Sequence, residues 1–145
     1  VSDFSAAEVR DRDRAAGVGP ALPGVGLAQW TSQGRRSGLF SHEYDGRVPG
    51  EEVLTDMDAQ VDYLVHELRT SYPGVQAVVA DADVLVEDAC DEVVYRFEVP
   101  GSVLEAGTKL PRTDPRVQHT FAERRAHAQR ALRAYEEGGR ASPTP

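Results

Sequence analysis

An all-α fold is what this sequence predicts, and three observations make the prediction. Apolar residues recur at spacings of three and four after Asp56 and again after Asp114, each time over several helical turns. Clusters of Gly and Pro at 15–25, 46–50, 73–74 and 100–101 cut the chain into pieces of helix length. The run Val93-Val94-Tyr95 taken alone could be strand, yet the longer segment around it keeps helical spacing.

The elements follow in order. Ser2 or Asp3 can cap a short first helix over 1–14, with Val1, Phe4 and Glu8 recurring on one face. The Gly/Pro stretch 15–25 is a loop. Thr31 or Ser32 caps a helix through Arg35, Arg36 and Leu39 to about Glu43. Thr55 or Asp56 starts the clearest helix, whose core stripe is predicted to be Met57, Val61, Leu64, Val65 and Leu68, with Asp58, Asp62, Glu67 and Arg69 mostly off it. Tyr72-Pro73-Gly74 stops that helix, a short one is predicted over 76–82, and Asp83 caps the next, which carries Val84, Ala89, Val93, Val94 and Phe97. Residues 101–114 read as a long loop. Asp114-Pro115 opens the last helix, with Val117, Phe121, Ala128, Leu132 and Tyr135 on its apolar face and Gly138 as its stop.

Size and composition narrow the function. At 145 residues the chain is expected to be one domain over 1–137, around a single core of about six helices, with 138–145 as a disordered tail. The apolar fraction of 40% is low but sufficient for a core, and no apolar run is long enough to cross a bilayer, so a soluble protein without membrane insertion is expected. The chain begins with Val1 and shows no signal-peptide succession, which a processed chain or an excised fragment would each explain. A net charge of −8 with a single Lys argues against a nucleic-acid partner, because phosphate contact needs clustered cations. Cys90 is alone, which excludes an internal disulfide, and it reads as a small core residue.

Chemistry-bearing residues concentrate between Gly26 and Leu39. Gly26, Gln29, the sole Trp30, Arg35 and Arg36 fall within eleven residues. Gly lets backbone approach a ligand, Gln supplies two donors and an acceptor, and Trp offers a flat apolar face with one N–H. Together they suit a cleft for a polyhydroxylated ligand such as a sugar ring. The same residues also suit a buried Trp whose N–H is satisfied. Glu8 has two readings as well: a partly desolvated general acid beside Phe4, or a solvated residue paired with Arg12. His66 has no second His at ligand spacing, so no metal is expected, and His119 and His127 read as surface residues. No Gly-x-Ser-x-Gly elbow supports a Ser-His-Asp site, and no pattern implies an organic cofactor.

Gly26-Leu27-Ala28-Gln29-Trp30-Thr31 followed by Gly34-Arg35-Arg36 resembles the signature of the phage tail lysozyme family, a group of lysozyme-like peptidoglycan hydrolases. Asp56 to Leu68 is similar to that family's Asp-x-x-x-Gln-Leu-x-Phe-Leu-x-x-Glu-Leu segment. Phe97-Glu98-Val99-Pro100-Gly101 and the Arg/Ala-rich stretch from Arg124 follow in the family's order, so the resemblance covers about residues 26–135. It implies a lysozyme-like fold and cleavage of the peptidoglycan glycan strand, virion-associated or extracellular, by a domain carried with other phage tail or particle proteins. It also implies Glu8, eighteen residues before Gly26, as the acid, with Gln29, Trp30, Arg35 and Arg36 as substrate-binding residues. The family's Glu-Ser after a longer helix is replaced here by Glu8-Val9 after seven residues. The first helix has lost its beginning, or the acid lies upstream, or the site has degenerated. A glycan-binding or structural tail module without turnover is the alternative that departure supports. A lytic transglycosylase, which uses one Glu with a Gly-Leu-x-Gln segment, is the other.

Overall fold

The computed structural model describes residues 24–141, so the expected first helix and Glu8 lie outside the described residues. What is described is mainly helical, with one two-stranded ribbon. The chain divides into two compact units, Val1–Ser71 and Tyr72–Pro145. Each has its own apolar cluster where a single core was expected.

In the first unit, α1 (Gln33–Ser41) follows Ser32, which is extended as a cap residue should be but makes no side-chain capping bond. A 3-10 segment, Gly50–Thr55, leads into α2 (Met57–Ser71). Asp56 caps α2 by accepting the Ala59 N–H at 3.0 Å. The core here is Val25, Trp30, Leu39, Phe40, Val53, Ala59 and Tyr63. The predicted stripe of α2 faces it only in part: Leu64 packs against the cluster, while the start of the stripe is turned outward. Met57 and Val61 are 58% and 42% exposed, whereas Ala59, Gln60, Tyr63 and Glu67 are buried. The physical reason is that Gln60 and Glu67 have buried hydrogen-bond partners, so burying their polar ends carries no unmet desolvation cost.

In the second unit, Tyr72-Pro73-Gly74 follows the end of α2 at Ser71 as expected, and Pro73 also opens α3 (Pro73–Val79) at its first turn, three residues before the start expected for the short helix. The next helix, α4 (Val86–Glu92), begins after Leu85; Asp83 folds onto the Asp81 side chain in a turn instead of capping it. α4 widens into a π-helical stretch, Val93–Glu98, closed where the Val99 N–H reaches the Val94 carbonyl at 2.9 Å. Val99 pays for that closure with a left-handed φ of 45°, a strained position for a β-branched residue. The stretch 101–114, expected as loop, holds a 3-10 turn at Gly101–Val103 and a ribbon of β1 (Leu104–Glu105) and β2 (Thr108–Lys109). Ala106 and Gly107, both at positive φ, make the two-residue turn that such a ribbon requires.

The last helix, α5 (Pro115–Ala141), runs through the expected stop at Gly138. A glycine weakens a helix by about 1 kcal/mol relative to alanine without forbidding it. The core of the unit is Val94, Val103, Leu110, Val117 and Phe121, with half-buried Cys90 packed against it. Burial pushes the Cys90 thiol above its ordinary pKa, so it behaves as a small apolar residue.

Candidate functional site

The Gly26–Thr31 segment forms a tight turn closed by paired backbone bonds. The Val25 N–H donates to the Trp30 carbonyl at 3.1 Å, and the Trp30 N–H returns to Val25 at 2.9 Å. Two residues of the turn take positive φ, Gly26 at 71° and Gln29 at 50°. Gly26 is needed on two counts. Its φ favours glycine, and a Cβ there would meet Gln60 Oε1 at 2.8 Å and the Trp30 ring at 2.9 Å. The turn is clasped from α2: the Leu27 N–H donates to Gln60 Oε1 at 2.7 Å, and Gln60 Nε2 donates to the Val53 carbonyl at 2.8 Å.

Trp30 is the anchor of this turn and not its exposed face. Its side chain is fully buried against Tyr63, with ring centroids 5.3 Å apart, and its indole N–H donates to Glu67 Oε2 at 2.9 Å. Of the two readings of Trp30, the structure shows the buried ring with its N–H satisfied, which leaves no ring face open to a ligand. Arg36, expected to bind substrate, is fully buried as well. Arg35 is partly exposed but committed, with Nε and a terminal nitrogen donating to Glu67 Oε1 and Oε2 at 2.5 and 2.9 Å. Three donors thus converge on one buried carboxylate.

Gln29 is the expected site residue left open to solvent. Its side-chain N–H donates to the Gly26 carbonyl at 3.0 Å, which fixes the amide across the tip of the turn. Glu8 lies outside the described residues. Of the loop carboxylates, Asp45 sits at positive φ in the exposed turn between Tyr44 and Arg47, and Asp56 is spent on capping α2.

Beside the turn, α1 and α2 border a polar cleft of about 540 Å³, lined by Ser32, Arg35, His42, Tyr63, His66 and Glu67 among others. His42 Nε2 lies 2.7 Å from Asp62 Oδ2, and the His42 ring tilts against Tyr63 and His66 at 5.3 and 5.4 Å. The Tyr63 hydroxyl donates to the Arg35 carbonyl at 3.0 Å, closing the floor. Glycine at position 38 makes this possible, since a Cβ there would lie 2.3 Å from the Tyr63 oxygen. The cleft thus offers an imidazole–carboxylate pair, hydroxyls and a guanidinium, a set suited to hydrogen-bonding a polar ligand. Among the described residues no three His, Cys, Asp or Glu side chains are grouped to hold a metal ion. His119 and His127 are exposed on α5, beside Glu123 and Arg130 respectively.

Residue-by-residue reading of the sequence missed Glu67, Gln60, Tyr63 and His42. A signal for two of them was present, since Gln60 and Glu67 are the amide and the acid of the segment that carries the family resemblance. No family model, no curated protein and no solved structure matches this chain.

Proposed function

We propose that this chain is a lysozyme-like domain that cleaves the glycan strand of peptidoglycan, carried by a phage tail or a related injection particle and acting at the bacterial wall. The observation that carries the reading is an interlock between two separate segments of the resemblance. Gln60 and Glu67 of the α2 segment bond Leu27 and Trp30 of the Gly-Leu-Ala-Gln-Trp-Thr segment, across 33 and 37 positions of chain. Residues that stand together in a family signature have a physical reason to do so here: they hold one turn rigid.

In this reading Glu8 gives its proton to the leaving glycosidic oxygen as an oxocarbenium ion forms on the sugar. Gln29, held at the tip of the turn, bonds substrate or the attacking water. Arg35 and Glu67 position the turn, with Trp30 as its buried pin. No helix among the described residues is long and apolar enough to cross a membrane. The acidic surface, with net charge −8, is unfavourable for free approach to an anionic wall, which tethering to a particle offsets.

A second reading is a wall-binding module without turnover. It is supported by Val9 in place of the Ser that follows the family's catalytic Glu, while Gln29 stays open to a ligand. Incubation of purified peptidoglycan with this chain and with Glu8→Gln, followed by mass spectrometry of soluble fragments, separates the readings. Muropeptides from the wild type and none from the variant support hydrolysis through Glu8, and anhydro ends in place of reducing ends would make the enzyme a lytic transglycosylase. Equal release by both proteins removes Glu8 from the mechanism. Sedimentation with the wall but no release by either protein favours the binding module.

A further inference from the structure

In the second unit the exposed large apolar side chains among the described residues are Val79, Leu85, Leu132 and Tyr135. They adjoin an apolar groove of about 310 Å³ lined by Val79, Val86, Cys90, Val93 and Ala128. Leu132 and Tyr135 continue the stripe of Ala128 along α5, at steps of four and three, so the ridge extends the wall that α5 contributes to the groove. Every residue from Arg130 to Gly139 is exposed, and Tyr135 is 80% exposed. A ridge beside a groove is an apolar patch of the kind that marks an interaction site.

The charges nearby suggest what covers it. Arg130 and Arg133 stand on the distal part of α5, while Asp81, Asp83 and Asp88 stand exposed at the α3–α4 turn and the start of α4. No ion pair among the described residues joins these two sets. A second copy related by a two-fold axis satisfies both at once, because a two-fold contact uses the same patch on each subunit. We propose that this face is a self-complementary dimer interface: the Leu132–Tyr135 ridge of each copy seats in the Val79–Val93 groove of the other, with Arg130 and Arg133 meeting the partner's acidic turn.

The test is sedimentation equilibrium on this chain over a wide concentration range. The expected mass rises from 15.8 kDa toward twice that value. Leu132→Glu combined with Tyr135→Glu should stay monomeric with an unchanged circular dichroism spectrum, since both side chains are exposed in the single chain. Arg133→Asp should weaken association about tenfold or more by placing like charges together, and adding Asp88→Arg should restore it. A wild type that remains monomeric at every concentration overturns the proposal, whatever other protein it binds. Unaltered dimerisation of the double-Glu variant, or failure of the charge swap to recover association, overturns it as well.

Discussion

In the first unit the carboxylate of Glu67 is 5% exposed and sits among Trp30, Arg35 and Tyr63, whereas in the second unit the carboxylates of Asp91 and Glu98 meet Arg125 and Arg124 of α5 at the edge of an apolar cluster. Both units use acid–arginine pairs, but they use them differently. Around Glu67 the pair is combined with a buried indole N–H, so removing one group strands the others in a poorly solvated place. Along α4 and α5 the pairs of Asp91 with Arg125, Glu98 with Arg124, and Glu87 with Gln129 register one helix on the other; Asp91 is buried, but its partner Arg125 is 36% exposed. The comparison teaches that equal chemistry has unequal weight: the buried network determines whether a turn exists, and the marginal ladder adjusts how well two helices fit.

The largest expected effect breaks the buried side of that comparison. Glu67→Ala should destabilise the first unit by about 3–5 kcal/mol, the usual cost of stranding one half of a buried ion pair. Urea titration followed by fluorescence measures it directly, because Trp30 is the sole tryptophan and lies in this unit. Gly26→Ala should cost about 1–3 kcal/mol through backbone strain at positive φ, with the added Cβ crowding Gln60 and the Trp30 ring; a change below a few tenths would show that the turn yields. For Trp30→Phe, which keeps an aromatic ring beside Tyr63 but removes the donor to Glu67, the expected loss is about 1–3 kcal/mol. Far-ultraviolet circular dichroism is the readout there, as the fluorophore is gone.

On the marginal side, Asp91→Asn should cost less, about 1–2 kcal/mol, because the amide keeps an acceptor and Arg125, 36% exposed, stays partly solvated although Asp91 is buried. A loss as large as that of Glu67→Ala would erase the distinction between the two regions. The smallest effect is in acid. Its own backbone N–H and the Gln129 amide hold the Glu87 carboxyl below its ordinary value, and bonds from Arg116 do the same for Asp114. Both folded-state pKa values are depressed, so the stability they contribute is fully present above their unfolded values of 4.5 and 3.8 and is lost as pH falls through the folded ones. Thermal melts between neutrality and acid should show Asp114→Asn with a shallower fall than the wild type below about pH 4.

Much of the helical layout is legible in the sequence. The start of α2 near Asp56 and that of α5 at Pro115 follow from capping chemistry that acts within three or four residues. The facing of α2 was not legible, because a stripe read from hydropathy assigns Met57 and Val61 to the core and leaves Glu67 outside it. What made Glu67 a core residue is a set of donors 32 and 37 positions away. The same limit applied at the site. Trp30 was singled out as important, yet whether its ring faced a ligand or the core depended on an acceptor that local sequence does not point to.

By itself, then, the sequence determined the mainly helical character, the principal breaks in the chain, and the turn where its chemistry gathers. These depend on backbone conformation, caps and periodicity, which neighbouring residues decide. Tertiary structure alone decided that the described core is two clusters, that Trp30 and Arg36 are buried while Gln29 stays open, and that a polar cleft lies between α1 and α2. A polar side chain can be buried only where distant partners satisfy it, and those partners meet only when the chain has folded.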